Sequence, residues 1–231
     1  MEKTKTGIKG FDNLIEGGFP GGSVVLLSGT PGTGKTIFAL EYLYNGAEKF
    51  GEKGIYVTFE EKAEDLKKQA MQFGWDFEKL EKQNKIKILE IPASSITNNI
   101  VKEITDTVNK FKIQRLVVDS VSTISINFPS ISAKDICDFN VARFIYNFTS
   151  KLRKLKDTTT LMISQTNSDS LFSRDKVSEF VCDGIVHILY EPMGGQFSRS
   201  IIVRKMRKVK NDEDVHPFEI SQKGIIIHTL K

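Results

Sequence analysis

Cysteine and long apolar runs are both scarce in this chain of 231 residues. The two cysteines, Cys137 and Cys182, lie far apart and outside any metal-ligand spacing, which argues against a disulfide framework and indicates reduced thiols. No apolar run approaches the ~20 residues that cross a bilayer. The polar stretch 1–5 lacks the apolar core of a signal peptide. We therefore expect a cytoplasmic protein.

Neither sign of charge dominates the sequence. It contains 33 basic and 29 acidic residues, with a formal net charge of +4. This small excess permits an acidic partner without requiring one, so charge alone does not support nucleic-acid binding. The hydrophobic share of 39% is typical of a globular protein, and we expect one domain over residues 1–231.

The most informative segment is a glycine-rich loop that matches the pattern G-x-x-x-x-G-K-[ST] of nucleotide hydrolases. Its glycines allow several backbone N–H groups to converge on one polyphosphate. The lysine can reach the β- and γ-phosphates, and the hydroxyl group that follows can bind Mg²⁺. After Gly29, the predicted nucleotide-binding residues are Thr30, Pro31, Gly32, Thr33, Gly34, Lys35 and Thr36. We expect this loop to bind ATP or a related nucleoside triphosphate.

Strand and helix patterns alternate along the chain, which predicts an α/β fold with a mostly parallel central sheet flanked by helices. Predicted strands cover 23–27, 55–59, 86–91, 116–118 and 160–164, and predicted helices cover 37–43, 63–73, 98–112 and 132–155. Three further short strands, at 184–190, 200–204 and 224–229, are expected as antiparallel additions at the C-terminal edge.

Four polar residues stand at the ends of three predicted strands, where ligands gather in open α/β sheets. Asp119 is a candidate Mg²⁺ ligand, although an Asp there could also cap a turn. Glu60 and Glu61 offer a general base for water with a neighbour that orients it, or else begin a solvated helix. Gln165 could sense the γ-phosphate and pass the signal to a mobile loop at 166–176, or be an ordinary polar strand end.

Together with further short motifs, these residues give the chain a strong resemblance to the RecA-type ATPases, most closely the KaiC-like branch. The order and spacing of the motifs carry the resemblance over nearly the whole chain. They occupy 6–12, 17–20, 58–61, 73–76, 118–120, 180–184, 205–207, 216–220 and 223–225.

The resemblance implies a RecA-like P-loop fold and a ring oligomer, expected to be a hexamer, with ATP between subunits. Lys205 and Arg207 would reach the γ-phosphate of a neighbour, as an arginine finger does. Arg199, Ile220 and Gln222 would lie on the same face, near the neighbour's base. Without the resemblance, the basic cluster at 204–208 would be read as a solvated edge strand or an anion-binding patch.

The sequence departs from the family pattern at several positions. Residues 208–211 read Lys-Val-Lys-Asn where the family usually has Gly-Thr-Ser-His, which predicts less efficient hydrolysis. Gln222 replaces a common Asp, which weakens its assignment to the base. Glu179 and Phe180 stand where clock-type members, which have two tandem domains, carry a Ser-Thr phosphoacceptor pair. We therefore infer neither autophosphorylation nor a circadian role.

Three functions follow from these observations. The first is an ATPase whose cycle changes the shape of an oligomer that acts on a protein partner, in a regulatory or signalling role. The second is a scaffold that binds ATP to assemble and hydrolyses it slowly. The third, a DNA recombination or repair ATPase, lacks the expected N-terminal DNA-binding module. A GTPase would need an Asn-Lys-x-Asp signature, which is missing, and a small-molecule kinase would need a lid with clustered arginines.

Overall fold

The computed structural model describes residues 2–97, 99–127, 134–166, 172–191 and 198–229, with the backbone alone for 134–138. Its strands are β1 Lys3–Thr4, β2 Phe19–Pro20, β3 Val24–Gly29, β4 Gly54–Thr58, β5 Ile86–Glu90, β6 Arg115–Asp119, β7 Thr159–Gln165, β8 Gly184–Tyr190, β9 Arg199–Met206, β10 His216–Ser221 and β11 Gly224–Ile227. Its helices are α1 Lys35–Lys49, α2 Ala63–Met71, α3 Phe77–Lys82, α4 Ile100–Phe111, α5 Val121–Asn127, α6 Lys134–Leu152 and α7 Ser178–Val181.

Nine strands form one sheet in the order β11-β10-β9-β8-β3-β7-β6-β4-β5. The six strands from β8 to β5 pair in parallel. Strands β9, β10 and β11 extend this sheet in antiparallel pairs, and the direction changes between β8 and β9. The mostly parallel α/β sheet with antiparallel edge strands is confirmed.

Helices cover both faces of the sheet. The parallel strands are apolar at consecutive positions, so each strand presents apolar side chains to both faces. Val25 and Leu27 of β3 pack with the side that holds α1, α2 and α3. Val24 and Leu26 of the same strand pack with the opposite side, which holds α4, α5 and α6. Both apolar layers therefore meet at β3, the strand that leads into the glycine loop. In the part of the chain that the structure describes, no helix is long and apolar enough to cross a membrane.

The structure adds elements that the sequence pattern did not predict and changes one pairing. The strands β1, β2 and β10 and the helices α3, α5 and α7 are new, and none is longer than seven residues. The strand at 184–190, expected as an antiparallel edge strand, pairs in parallel with β3 inside the sheet. The physical reason is that β7 pairs with β3 along one edge only, so the other edge of β3 can pair with β8. The predicted helix at 132–155 is α6, and its expected start at 132 lies outside the described residues.

Arg115 ties the start of β6 to α1 and to the N-terminal segment, although a buried arginine in a strand gives no local sequence signal. Its side chain is fully buried and forms an ion pair with Glu52. The guanidinium donates to the carbonyl oxygens of Tyr42 at 2.7 Å and Lys5 at 2.6 Å. A Cβ atom on Gly46 would lie 2.4 Å from Arg115 Nε, so the helix needs glycine there.

Replacing Arg115 with methionine should lower the free energy of unfolding by about 3 kcal/mol, because two buried carbonyl groups and one carboxylate lose their shared partner. Urea denaturation followed by circular dichroism measures the change. Arg143 is an exposed arginine on α6, and its replacement with methionine is the matched control, with an expected effect within about 0.5 kcal/mol. Equal stability of the two variants would contradict a structural role for Arg115.

Candidate nucleotide-binding site

The glycine loop joins the end of β3 to the start of α1. Gly32 and Gly34 have φ angles of 81° and 105°, which side-chain-bearing residues rarely adopt. A Cβ atom on Gly29 would lie 2.4 Å from the carbonyl oxygen of Ile188 in β8. The first N–H groups of α1 have no intrahelical partner, since the carbonyl groups four residues earlier lie before the helix. The loop thus offers free donors and the positive end of a helix dipole at one point.

Lys35 is the first residue of α1, and its side chain folds back against the loop. Its ammonium group donates to the carbonyl oxygens of Gly29 at 2.9 Å and Thr30 at 2.7 Å. The residue is only 7% exposed. Burial lowers the pKa of Lys35 to about 8, although the nearby Asp119 carboxylate opposes the shift. The loop therefore holds a buried cation whose carbonyl partners an anion could replace.

This pKa predicts that Mg·ATP binding takes up protons at mildly alkaline pH. A polyphosphate stabilises the ammonium form and raises the pKa of Lys35, so a partly neutral lysine must gain a proton on binding. Uptake should grow as pH rises from 7 through 8, and affinity should fall as pH rises further. Calorimetry at pH 8.5 in two buffers with different ionisation enthalpies measures it. Equal heats in both buffers would contradict a titrating lysine at the phosphate site.

A cavity of about 330 Å³ opens beside the loop and collects most of the predicted site residues. It is lined by Pro31, Gly32, Gly34, Lys35, Thr36, Glu60, Glu61, Asp119, Gln165, Arg199 and Ile220, together with Ile37, Thr58, Gln69 and Ile163. The acids approach from β4 and β6 on one side of β3. Arg199 and Ile220 approach from β9 and β10 on the other. The cavity therefore has an acidic wall and a wall without acids.

Asp119 ends β6 on the acidic wall and is held there by Tyr56 of β4. The Tyr56 hydroxyl donates to the Asp119 carboxylate and also bonds to the side chain of Thr36. The pKa of Asp119 is raised to about 6, mainly by burial and also by the neighbouring Glu61 and Glu60, while the Tyr56 bond opposes the shift. Tyr56 was missed in the sequence, because a tyrosine in a predicted strand gives no sign of its partner.

The two glutamates are each held by a side chain that sequence reasoning did not single out. Thr123 of α5 donates its hydroxyl hydrogen to Glu60. Gln69 of α2 donates to the Glu61 carboxylate at 2.6 Å. Glu60 is exposed whereas Glu61 is partly buried. The pair is therefore oriented from two helices, with the more accessible carboxylate toward solvent.

Other site residues take up secondary positions around the loop. The Thr33 hydroxyl turns inward and donates to the carbonyl oxygen of Thr30 at 3.0 Å, so both shape the loop rather than line the cavity. The backbone N–H of Gln165 donates to the Ser122 hydroxyl at 2.9 Å, which leaves its side chain at the cavity. Within the loop predicted at 166–176, residues 167–171 lie outside the described residues.

Comparison with known proteins identifies the family of this chain. A family model described as the KaiC ATPase matches residues 4–231. The chain belongs to the KaiC ATPase family. It has an ATP-binding fold of the RecA type, as the glycine loop and the sheet order indicate.

Individual KaiC relatives differ in length. A UPF0273 protein from Thermotoga maritima is 34% identical, with 99% of this chain and 96% of that protein covered. The circadian clock oscillator protein KaiC of Synechococcus elongatus is 32% identical over the full chain but only 45% of its own length, so the chain spans about half of the KaiC clock proteins it matches. The crystal structure of a KaiC-like protein from Pyrococcus horikoshii has a TM-score of 0.86 and 35% identity, with 99% of both chains covered.

Arg199 and Ile220, which the KaiC resemblance leads us to expect near the base of a neighbouring subunit, line the cavity of their own chain. Arg199 donates to the carbonyl oxygen of Gly32 in its own loop at 3.2 Å and stacks 4.9 Å from the Tyr190 ring centroid. Ile220 packs against Gly34. The reason is that β9 begins opposite the end of β8, at the loop end of the sheet. Gln222 lies in the β10–β11 turn, exposed and outside the cavity.

Lys205 and Arg207 lie at the opposite end of β9 from the chain's own loop. Lys205 is six residues beyond Arg199 on the same strand, which places it about 20 Å away. Its ammonium group donates to the carbonyl oxygen of Glu179 at 3.0 Å. Arg207 forms an ion pair with Asp183 at 3.4 Å, and its side chain is 47% exposed. Neither cation can therefore reach the cavity of its own chain.

The residues of the acidic wall fit a bound Mg²⁺. This ion usually keeps several waters and binds one or two carboxylates together with substrate phosphates. The Thr36 hydroxyl and the Asp119 carboxylate share Tyr56 as a partner, so they lie close together beside the phosphate loop. Among the described residues, no group of three or more His, Cys, Asp and Glu could hold a metal ion by itself. That donor set suits a metal that arrives with a nucleotide.

Proposed function

We propose that this protein hydrolyses ATP in a Mg²⁺-dependent reaction. The observation that carries the proposal is a single cavity in which the buried Lys35 faces Glu60, Glu61 and Asp119. Lys35 and the loop N–H groups would hold the phosphates, and Thr36 and Asp119 would hold the metal, which neutralises phosphate charge when bound. Glu60 would accept a proton from the attacking water, with Glu61 beside it.

The cations Lys205 and Arg207 would complete the site of a second subunit. Their distance from their own loop and the exposure of Arg207 support a role in trans. A ring in which each subunit presents its β9 end to the next subunit's cavity would satisfy this geometry, and we propose a hexamer built from domains that span residues 1–231. Such a ring would couple hydrolysis to a change of shape that acts on a regulatory or signalling protein partner.

Mixed oligomers test the proposal most directly. A subunit with Lys205→Ala keeps its own acids but cannot serve its neighbour, and a subunit with Glu60→Gln and Glu61→Gln has the opposite defect. Each variant alone should be inactive, and a mixture should recover a measurable fraction of wild-type turnover at sites that combine two intact halves. Recovery distinguishes a shared site from a site within one chain. No recovery in oligomers shown to contain both variants would contradict the trans role.

A slow ATP-dependent scaffold is the second candidate, and residues 208–211 favour it. Lys208 has a φ angle of 74° in a turn, and Asn211 donates to the carbonyl oxygen of Val203 at 2.8 Å. The segment thus folds back on its own chain and carries none of the small hydroxyl groups of the usual family sequence. The turnover rate per subunit, measured on the assembled form, separates the two candidates. A rate too low to follow in hours would favour the scaffold.

A further inference from the structure

Glu41, in the middle of α1, is a buried carboxylate without a role in the proposed chemistry. It is 6% exposed, and its Oε2 atom accepts the backbone N–H of Ile225 in β11 at 2.7 Å. Burial raises the pKa of Glu41 to about 7, which the bond to Ile225 opposes. A carboxylate is costly to bury unless hydrogen bonds compensate it. The polar contact with β11 is therefore the property that distinguishes this side chain.

The β10–β11 hairpin is weakly tied to the sheet at the end that Glu41 contacts. Within the described residues, β10 pairs with β9 through His216 and Pro217, whereas 218–221 pair with β11. The far end of β11 is fixed by the bond from the Ile227 N–H to the Lys9 carbonyl oxygen at 2.9 Å. The end that carries Ile220 consequently depends on contacts with α1.

Two motifs singled out in the sequence, at 73–76 and 223–225, meet at Glu41. Gly224 has a φ angle of 119°, and a Cβ atom on it would lie 2.7 Å from Glu41 Oε2 and 2.9 Å from Trp75 Cζ2. The Trp75 ring stacks on Phe73 at 4.6 Å and on Tyr44 at 5.8 Å between centroids. The turn is therefore packed between this aromatic stack and the carboxylate.

Ile220 links the position of this turn to the cavity, because it lies next to the turn in β10 and lines the cavity. It packs against Gly34 of the phosphate loop, since its Cδ1 atom lies 3.0 Å from where a Cβ atom on Gly34 would be. It belongs to the wall without acids, and the acids mark the end where the phosphates would react. The wall that holds Ile220 therefore faces the nucleoside end of a bound nucleotide.

We propose that Glu41 is a positioning residue that holds the β10–β11 turn against α1 and thereby fixes Ile220 at the nucleoside end of the cavity. The inference rests on the proposed function, because it assigns a nucleoside to that wall. The motifs at 73–76 and 223–225 then share one role. Both hold the β10–β11 turn in place, and the position of this turn determines how tightly the base and ribose are bound.

The test compares two ligands that share phosphates but differ in the nucleoside: Mg·ATP and inorganic tripolyphosphate with Mg²⁺. Glu41→Met removes the acceptor, and Glu41→Gln keeps a carbonyl oxygen for the Ile225 N–H. We expect Glu41→Met to weaken ATP binding about tenfold and to change tripolyphosphate binding less than about twofold. Glu41→Gln should restore ATP binding. Gly224→Ala places a methyl group between the turn and Glu41 and so displaces the turn. Like Glu41→Met, it should weaken ATP binding while it leaves tripolyphosphate binding nearly unchanged.

Lys223→Ala, at an exposed position in the same turn, is the matched control and should bind both ligands as the wild type does. Equal weakening of both ligands in Glu41→Met and Gly224→Ala would overturn the inference, and so would unchanged ATP binding. Failure of Glu41→Gln to restore binding would also overturn it. A wild type that binds neither ligand would instead refute the proposed function itself, so the two failures are distinguishable.

Discussion

Simultaneous replacement of Glu60 and Glu61 with glutamine is expected to reduce ATP turnover by about 10²-fold or more. The proposed reaction needs a carboxylate to accept a proton from water, and an amide cannot do so. Binding of Mg·ATP should remain within a few-fold of the wild type, because the loop and Asp119 are untouched. Steady-state phosphate release and equilibrium nucleotide binding measure the two quantities separately.

The single variants of these glutamates refine the assignment. Glu60 is the more exposed carboxylate and is held by Thr123, so Glu60→Gln alone should account for most of the loss. Glu61→Gln should reduce turnover less, because Glu61, which is held by Gln69, is proposed to orient Glu60 and not to accept the proton itself. Glu64→Gln changes an exposed acid of α2 and serves as the control. Full activity in the double variant would contradict a catalytic role for either residue.

Asp119→Asn should raise the stability of the nucleotide-free protein while it removes the metal-dependent part of ATP binding. The pKa of Asp119 is raised from 3.8 to about 6 on folding, so the folded chain binds this proton more tightly than the unfolded chain does. Its contribution to stability is present below pH 4 and is lost as pH rises through 6. An amide avoids this loss and can still accept from Tyr56, which predicts a gain of roughly 1–3 kcal/mol at pH 7.5.

Urea denaturation at several pH values tests this prediction. The difference between Asp119→Asn and the wild type should be small near pH 4 and should grow between pH 4 and 7. Asp106→Asn, at an exposed position on α4, is the matched control and should change stability little at any pH. A variant that is less stable than the wild type at pH 7.5 would contradict the account of Asp119, as would Mg²⁺-dependent ATP binding that survives unchanged.

Features encoded by neighbouring residues were predictable from the sequence. The strand before the glycine loop, the loop itself and the helix after it form a continuous local pattern, and β3 and α1 follow it closely. Asp119 and Glu60 could be placed at strand ends, and parallel strands bring such ends to one edge. The cavity at that edge follows from the predicted sheet alone.

Features that depend on distant partners were not predictable. Tyr56, Gln69 and Thr123 hold the acids from three different elements, and nothing in their local sequence reveals those contacts. The wall that contains Arg199 depends on the register in which β9 pairs with β8, which no local pattern specifies. The strand β10 was missed because Pro217 weakens the strand signal.

Calorimetric titration of the folded protein with Mg·ATP tests the central claim most directly, with Lys35→Ala titrated in parallel. If the glycine loop binds the phosphates, the wild type should take up about one nucleotide per chain, and Lys35→Ala should bind at least about 100-fold more weakly. A wild type that releases no heat and takes up no nucleotide would contradict the account, as would a Lys35→Ala variant that binds as tightly as the wild type.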